Sequence, residues 1–233
     1  MKIALLGYGR MGKEIEKIAL HRGHEIVIKS NSNASYNIND ADVAIDFSVP
    51  NSAVNNISNC FENQVPVISG TTGWLDKYDE IVDLCHKKNG AFIYASNFSL
   101  GVNIFFELNN QLAKMMNSLS DYNITMEEIH HTKKLDAPSG TAITLAEGII
   151  ENSSKSSWEL DGKASEEIIP ITSKRIGDVP GTHIVNYDSD VDAIEIKHTA
   201  NNRKGFALGA VVAAEWILNK KGVFTMKDVL NIG

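Results

Sequence analysis

The first hundred residues alternate between short apolar runs and segments whose apolar positions recur at helical spacing. Lys2–Leu6 is a continuous apolar run that stops at Gly7, the pattern of a strand buried on both faces. Lys13–Arg22 is the first predicted helix, with Met11, Ile15, Ile18 and Ala19 on one face and Gly23 as a stop signal. Glu25–Lys29, Val43–Phe47, Val65–Ser69 and Ala91–Ala95 repeat the strand pattern. Between them, Ala53, Val54, Ile57 and Phe61 mark one helix, and Ile81, Leu84 and Cys85 mark another over Leu75–Lys88. Strands alternating with helices predict a doubly wound parallel sheet whose ligand lies at the carboxyl ends of its strands.

The pattern changes after residue 100. Gly101–Asn117 reads as a long helix with Val102, Phe105, Phe106, Leu112 and Met116 inward, its methionines serving as core filler. Tyr122–Ile129 alternates as a strand. Ile124, Met126, Glu128 and His130 fall on one side, and Thr125, Glu127, Ile129 and His131 on the other, so the two histidines need not share a purpose. Thr141–Ile150 is helical, Asn152–Ser157 a polar loop, and Ile168–Arg175 a strand. Thr182–Tyr187 and Ala193–Thr199 are expected to pair antiparallel, Gly205–Asn219 to form an apolar helix returning to the first domain, and Thr225 to cap a last helix over Thr225–Leu230. The expected class is α/β: an N-terminal Rossmann-like parallel sheet plus a second α+β domain with a mostly antiparallel or mixed sheet. The expected boundaries are 1–99 with 206–233 for the first domain and 100–205 for the second.

Composition narrows the partners. Charged residues are 22% and the net charge is −7, with no block of five or six like charges and no basic stripe, which argues against a nucleic-acid or anionic-membrane partner and for a small molecule. No apolar run reaches the length of a membrane span, and no signal peptide is apparent. Cys60 and Cys85 lie in separate predicted helices without CxxC spacing, so neither a disulfide framework nor a metal site is expected, and a reducing cytoplasm fits.

Two stretches carry chemistry. Gly7-Tyr8-Gly9-Arg10-Met11-Gly12 stands between a strand and a helix, where glycines let the backbone approach a pyrophosphate and the helix N-terminus offers free N–H groups. Gly70-Thr71-Thr72-Gly73 and Ala95-Ser96-Asn97-Phe98 fall at further strand ends and complete the outline of a dinucleotide crevice. At the end of the second strand, where an acidic residue would hold a ribose hydroxyl, the sequence has Lys29-Ser30-Asn31-Ser32. Without a carboxylate, and with Lys29 at hand, a 2′-phosphate is tolerated, while Asn31 can still bond a hydroxyl; the expected cofactor is NADPH or NADH. The second stretch, Glu128–Thr141, reads EIHHTKKLDAPSGT and sets two imidazoles beside two ammonium groups, a mixture suited to proton transfer and anion binding. Lys133 reads most simply as a solvated side chain.

Taken together, GYGRMG at 7–12, GTTG at 70–73, SNFSLGVN at 96–103, EIHHTKKLDAPSGTA at 128–142, RIGDVPGTH at 175–183 and EIKHTANNRKGFALGA at 195–210 resemble the 4-hydroxy-tetrahydrodipicolinate (dihydrodipicolinate) reductases of diaminopimelate and lysine biosynthesis. The resemblance covers essentially the whole chain. It implies an NAD(P)H-dependent reductase acting on a cyclic imine dicarboxylate and assembling as a homotetramer through the second domain. It further implies His130 and Lys134 as proton-transferring residues, His131 as a substrate contact, and Gly140 and Thr141 as the cradle of a substrate carboxylate. Family members often carry an acidic residue where Asn31 stands. Other NAD(P)-dependent dehydrogenases of the same two-domain plan, with a catalytic cysteine or a different base, and a non-catalytic nucleotide-binding redox sensor are the rival readings.

Overall fold

The computed structural model describes residues 1–31, 36–202 and 204–232; Ser32 of the second strand end and Arg203 of the last matched segment lie outside the described residues. The chain divides into two compact units, residues 1–100 with 204–233, and residues 101–203.

The first unit opens with β1 (Lys2–Leu6), α1 (Arg10–His21), β2 (Glu25–Ser30), β3 (Val43–Asp46), α2 (Pro50–Glu62), β4 (Val67–Ser69), α3 (Tyr78–Lys87) and β5 (Ala91–Tyr94). β1 pairs in parallel with both β2 and β3, and β3, β4 and β5 continue in the same direction. The continuous apolar runs follow from burial on both faces. Ile3 and Leu5 join one core with Ile15 and Ala19 of α1, whereas Ala4 and Leu6 face the opposite core with Ile57 and Phe61 of α2 and Cys85 of α3. α1 begins at Arg10, earlier than the expected Lys13, because Gly9 serves as its N-cap and the last part of the glycine motif is already helical. The helix expected over Leu75–Lys88 splits into a 3₁₀ turn at Leu75–Lys77 and α3.

The second unit contains most of α4 (Leu100–Met116), then β6 (Asn123–His130), α5 (Gly140–Glu151), β7 (Ser157–Leu160), β8 (Ile168–Arg175), β9 (Thr182–Asp188) and β10 (Ala193–Thr199). Its sheet has the order β10-β9-β6-β8-β7. β9 is antiparallel to both β6 and β10, but β8 is parallel to β6 and β7, so of the two expected arrangements, mostly antiparallel or mixed, the sheet is mixed. β7 was not expected beyond Ser157, the last residue of the predicted loop. It is an edge strand with only Trp158 half-buried, so it lacks the alternation that betrays a strand. One face of this sheet packs Ile124, Met126, Ile169, Ile171, Val185 and Tyr187 against Phe105 and Leu112 of α4 and Leu145 and Ile149 of α5.

The chain then returns to the first unit through α6 (Lys204–Ile217), β11 (Gly222–Phe224) and α7 (Met226–Leu230). α6 is apolar almost all round because it is buried, with Ala207, Ala210, Val211, Ala214 and Ile217 in the same core as Ile3 and Ile45. β11, a three-residue strand too short to show periodicity, pairs with β5 and completes a six-stranded parallel sheet of order β11-β5-β4-β3-β1-β2. Thr225 caps α7 in a capping box with Asp228. The strand order reverses between β1 and β3, which places a crevice at their carboxyl ends.

Candidate active site

In the first unit that crevice is a cleft of about 490 Å³ lined by Gly7, Tyr8 and Gly9 after β1, Ser30 at the end of β2 with Asn31 after it, and Phe47 and Ser48 after β3. Gly7 has φ +102°, and a Cβ there would lie 2.1 Å from the carbonyl oxygen of Phe47, so the turn admits glycine alone. Gly9 stands open as the N-cap of α1 with no side-chain cap, leaving first-turn N–H groups for an anion; Arg10, Met11 and Gly12 form that first turn. An open glycine at a helix start, beside a strand switch point, fits the pyrophosphate of a dinucleotide.

The other expected cofactor contacts divide. Asn31 is exposed at the cleft wall. Lys29 is held by Glu16, 2.5 Å from its Oε1, and lies 5.2 Å above the Tyr8 ring; Glu16 also accepts a hydrogen bond from the Tyr8 hydroxyl. Thr71 is buried and its hydroxyl donates to Asp46 Oδ2 at 2.8 Å, while Thr72 is exposed. Gly70 packs directly on the Phe47 ring. Ala95 and Asn97 are half-buried and Ser96 is exposed, but Phe98 belongs to the core, its ring centroid 5.7 Å from that of Phe47.

Sequence reading did not single out Asp46, which is 0% exposed at the end of β3. Its carboxylate accepts hydrogen bonds from Asn56 Nδ2 at 2.9 Å, Ser69 Oγ at 2.9 Å and Thr71 Oγ1 at 2.8 Å. Burial pushes this carboxyl up and those donors oppose the shift. Asp46 therefore ties together the loops after β3 and β4, which is why Thr71 has a structural use at the cleft.

In the second unit the candidate proton-transfer group, His130, closes β6 and is 8% exposed. Period-two alternation puts it on the buried face with Glu128, which is 0% exposed. His130 Nδ1 lies 2.7 Å from Glu128 Oε2; the contact is close, though its N–H direction is out of line with the oxygen. The other oxygen, Oε1, accepts from Ser173 Oγ at 2.8 Å and Arg175 Nη2 at 2.9 Å, both on the neighbouring β8. Burial raises the Glu128 carboxyl, but the combined contacts with His130, Ser139, Ser173 and Arg175 outweigh it and hold the group below the ordinary carboxylate range.

His183, on β9 and 5% exposed, sets its ring centroid 5.1 Å from that of His130. Burial first, then the neighbouring His130, push it down to about 3, so it is neutral. Its Nε2 lies 3.1 Å from the hydroxyl of Ser139, the N-cap of α5, which also accepts from the N–H of Ala142. Gly140 and Thr141 follow as the first residues of α5, exposed and half-buried, and a Cβ at Gly140 would meet nothing within 4 Å. An anion has room there.

Lys134 is part-buried, with its ammonium 2.7 and 2.9 Å from the two carboxylate oxygens of Asp136. The main-chain oxygen of Asp136 accepts from Arg175 Nη2 at 2.6 Å, so the guanidinium that serves Glu128 also fixes the Lys134 loop. His131 is half-buried, away from the Glu128 cluster, and Lys133 is exposed. The structure thus joins His130, Lys134 and the start of α5 through three residues that sequence reading did not assign: Glu128, Arg175 and His183. Alternation gave one usable signal, the shared face of Glu128 and His130. Ligand-type atoms of Glu128, His130 and His183 fall within 4.8 Å of one another. The Arg175 guanidinium already neutralises that carboxylate and opposes a second cation, so the cluster suits proton handling better than a metal.

A parallel dinucleotide-binding sheet, and a second unit pairing a buried imidazole with an open helix start, define the class of two-domain nicotinamide-dependent oxidoreductases. Family models described as dihydrodipicolinate reductase, N-terminus, and dihydrodipicolinate reductase, C-terminus, match residues 1–98 and 101–230. A 4-hydroxy-tetrahydrodipicolinate reductase of Christiangramia forsetii is 60% identical over 99% of this chain and 98% of its own. One from Thermosipho africanus is 36% identical over 99% and 98%. Among solved structures, a dipicolinate-bound dihydrodipicolinate reductase from Paenisporosarcina sp. TG-14 superposes with a TM-score of 0.79 at 23% identity, over 97% of each chain. The chain belongs to the dihydrodipicolinate reductase family, NAD(P)H-dependent oxidoreductases of lysine and diaminopimelate biosynthesis.

Proposed function

We propose that this chain reduces the cyclic imine dicarboxylate derived from 4-hydroxy-tetrahydrodipicolinate to tetrahydrodipicolinate. The nicotinamide of NADPH or NADH supplies the hydride when bound. Gly7 to Gly12 hold the pyrophosphate at the start of α1, and Asn31 meets the adenosine ribose; Tyr8, Thr72, Ala95, Ser96 and Asn97 contribute further to the cleft. Gly140 and Thr141 receive one substrate carboxylate at the start of α5, Lys134 adds positive charge, and His131 makes a second contact. Hydride addition leaves negative charge on the conjugated imine, and a proton from His130, with Lys134 as the second donor, completes the reduction.

The observation that carries this reading is the buried His130, backed by a carboxylate and linked through His183 to the cap of α5. That arrangement pairs a proton carrier with an anion cradle in one unit. The rival with a cysteine nucleophile finds no support, because Cys60 and Cys85 are both buried within helices. The test is loss of nicotinamide absorbance with freshly generated substrate and each nucleotide; no loss with either overturns the reading.

The homotetramer and the cytoplasmic setting belong to the same proposal. β10 is an edge strand with Ala193, Ile194, Glu195, Lys197 and Thr199 exposed, a surface able to pair with another copy. Light scattering should give four times the chain mass of 25.5 kDa, and a monomer would refute it. Two free buried cysteines fit a reducing compartment. No helix among the described residues is long and apolar enough to cross a membrane.

A further inference from the structure

We infer that Glu128 is a positioning residue for proton transfer, turning His130 so that Nδ1 faces the protein and Nε2 faces the reacting molecule. The inference rests on the reductase reading of His130. The face of β6 that carries Glu128 also carries Ile124 and Met126, which are core residues. An apolar side chain would fill this place without taking a charge out of water, so a fully buried carboxylate calls for a use. Arg175 and Ser173 account for Oε1. The second oxygen is turned toward two imidazoles, 2.7 Å from His130 Nδ1 and 4.0 Å from His183 Nε2.

Two further observations give this arrangement a direction. His183 is neutral and engaged with Ser139, so it does not compete for the carboxylate as a cation. On the far side of the His130 ring stands Gly181, where a Cβ would lie 3.0 Å from Nε2. Any side chain there would crowd that nitrogen. A negative carboxylate 2.7 Å from Nδ1 draws the proton to that nitrogen electrostatically, and with a glycine beside Nε2 the two select one ring nitrogen for chemistry. Arg175 extends the effect, because it also fixes the main chain at Asp136 beside Lys134. Glu128 thereby holds both proton-bearing side chains to one frame without touching substrate.

The experiment combines nitrogen-15 NMR of the imidazoles in the full-length wild-type protein with kinetics of a Glu128→Gln variant. In the wild type, neutral His130 should carry its proton on Nδ1; a dominant Nε2–H form overturns the inference without any variant having to fold. In Glu128→Gln the tautomer preference should weaken and kcat fall about ten- to a hundredfold, with the substrate KM within about threefold. Unchanged kcat, or a loss expressed only in KM, overturns it. The tautomer does not depend on turnover, so a wild type that oxidises no nicotinamide defeats the reductase reading while the NMR result still decides the role of Glu128.

Discussion

Ser139 Oγ stands 3.1 Å from His183 Nε2, joining the cap of α5 to a neutral histidine in the middle of the second sheet. The same hydroxyl accepts from the N–H of Ala142, so it aims the first turn of α5 as well as closing it. Ser139→Ala should cost about 1 kcal/mol of stability through the lost cap. It should also raise the KM for the dicarboxylate, because Gly140 and Thr141 lose their fixed orientation. Denaturant midpoints and steady-state kinetics check the two effects, and a variant that loses stability while keeping its KM would separate the cap from the anion site.

His183 also makes stability depend on pH with a definite sign. Burial lowers its pKa to about 3, against an unfolded value of about 6.5. Above 6.5 both states are neutral and nothing changes. As pH falls from 6.5 toward 3 the unfolded chain takes up a proton that the folded chain refuses, so stability is lost across that window. His198, also lowered by burial, acts in the same direction. Glu128 is lowered in the folded state, so its contribution is present above an unfolded value of about 4.3 and declines as pH falls below it. Chemical unfolding from pH 7 to 4 should show falling stability in the wild type and a shallower fall in His183→Gln. Parallel curves would mean that His183 takes up its proton equally in the folded and unfolded states.

How legible these features were depended on the range of the contacts that make them. The first sheet was readable because both of its faces are buried, so strands such as Lys2–Leu6 appear as unbroken apolar runs. β7 and β11 were not, since one is an exposed edge and the other is three residues long. The parallel pairing of β6 with β8 leaves no mark in a local pattern. At the site, alternation placed Glu128 beside His130, but the groups that make a buried carboxylate tolerable, Ser173, Arg175 and His183, come from other strands. Asp46 was hidden for the same reason: its partner Thr71 was visible only as a loop residue.

Asn31 is exposed on the wall of the nucleotide cleft immediately after β2. A carboxylate there would repel a 2′-phosphate and accept hydrogen bonds from a free ribose diol. Asn31→Asp should therefore lower the preference for NADPH over NADH by about fivefold or more, given about 1 kcal/mol or more for like charges at about 4 Å. Dissociation constants for both nucleotides measure the ratio. An unchanged ratio would show that this position does not read the 2′ group.

Under the proposed function Lys134 supplies positive charge to a substrate carboxylate, and its ammonium is already shared by both oxygens of Asp136. The Asp136 side chain is 61% exposed, and Lys134 is the leading cause of its lowered pKa. A dianionic substrate must compete with that carboxylate for Lys134. Exposed pairs of this kind are worth about 0.2–1 kcal/mol, so Asp136→Asn should lower the substrate KM by about 1.4- to fivefold. The main-chain bond from Arg175 to Asp136 is retained in that variant, so the loop should stay in place. Lys134→Ala should raise KM and lower kcat, and adding Asp136→Asn to it should change nothing further, because the competitor matters only while the ammonium is present. A double variant in which Asp136→Asn still lowers KM would show that Asp136 acts on the substrate by direct repulsion and not through Lys134.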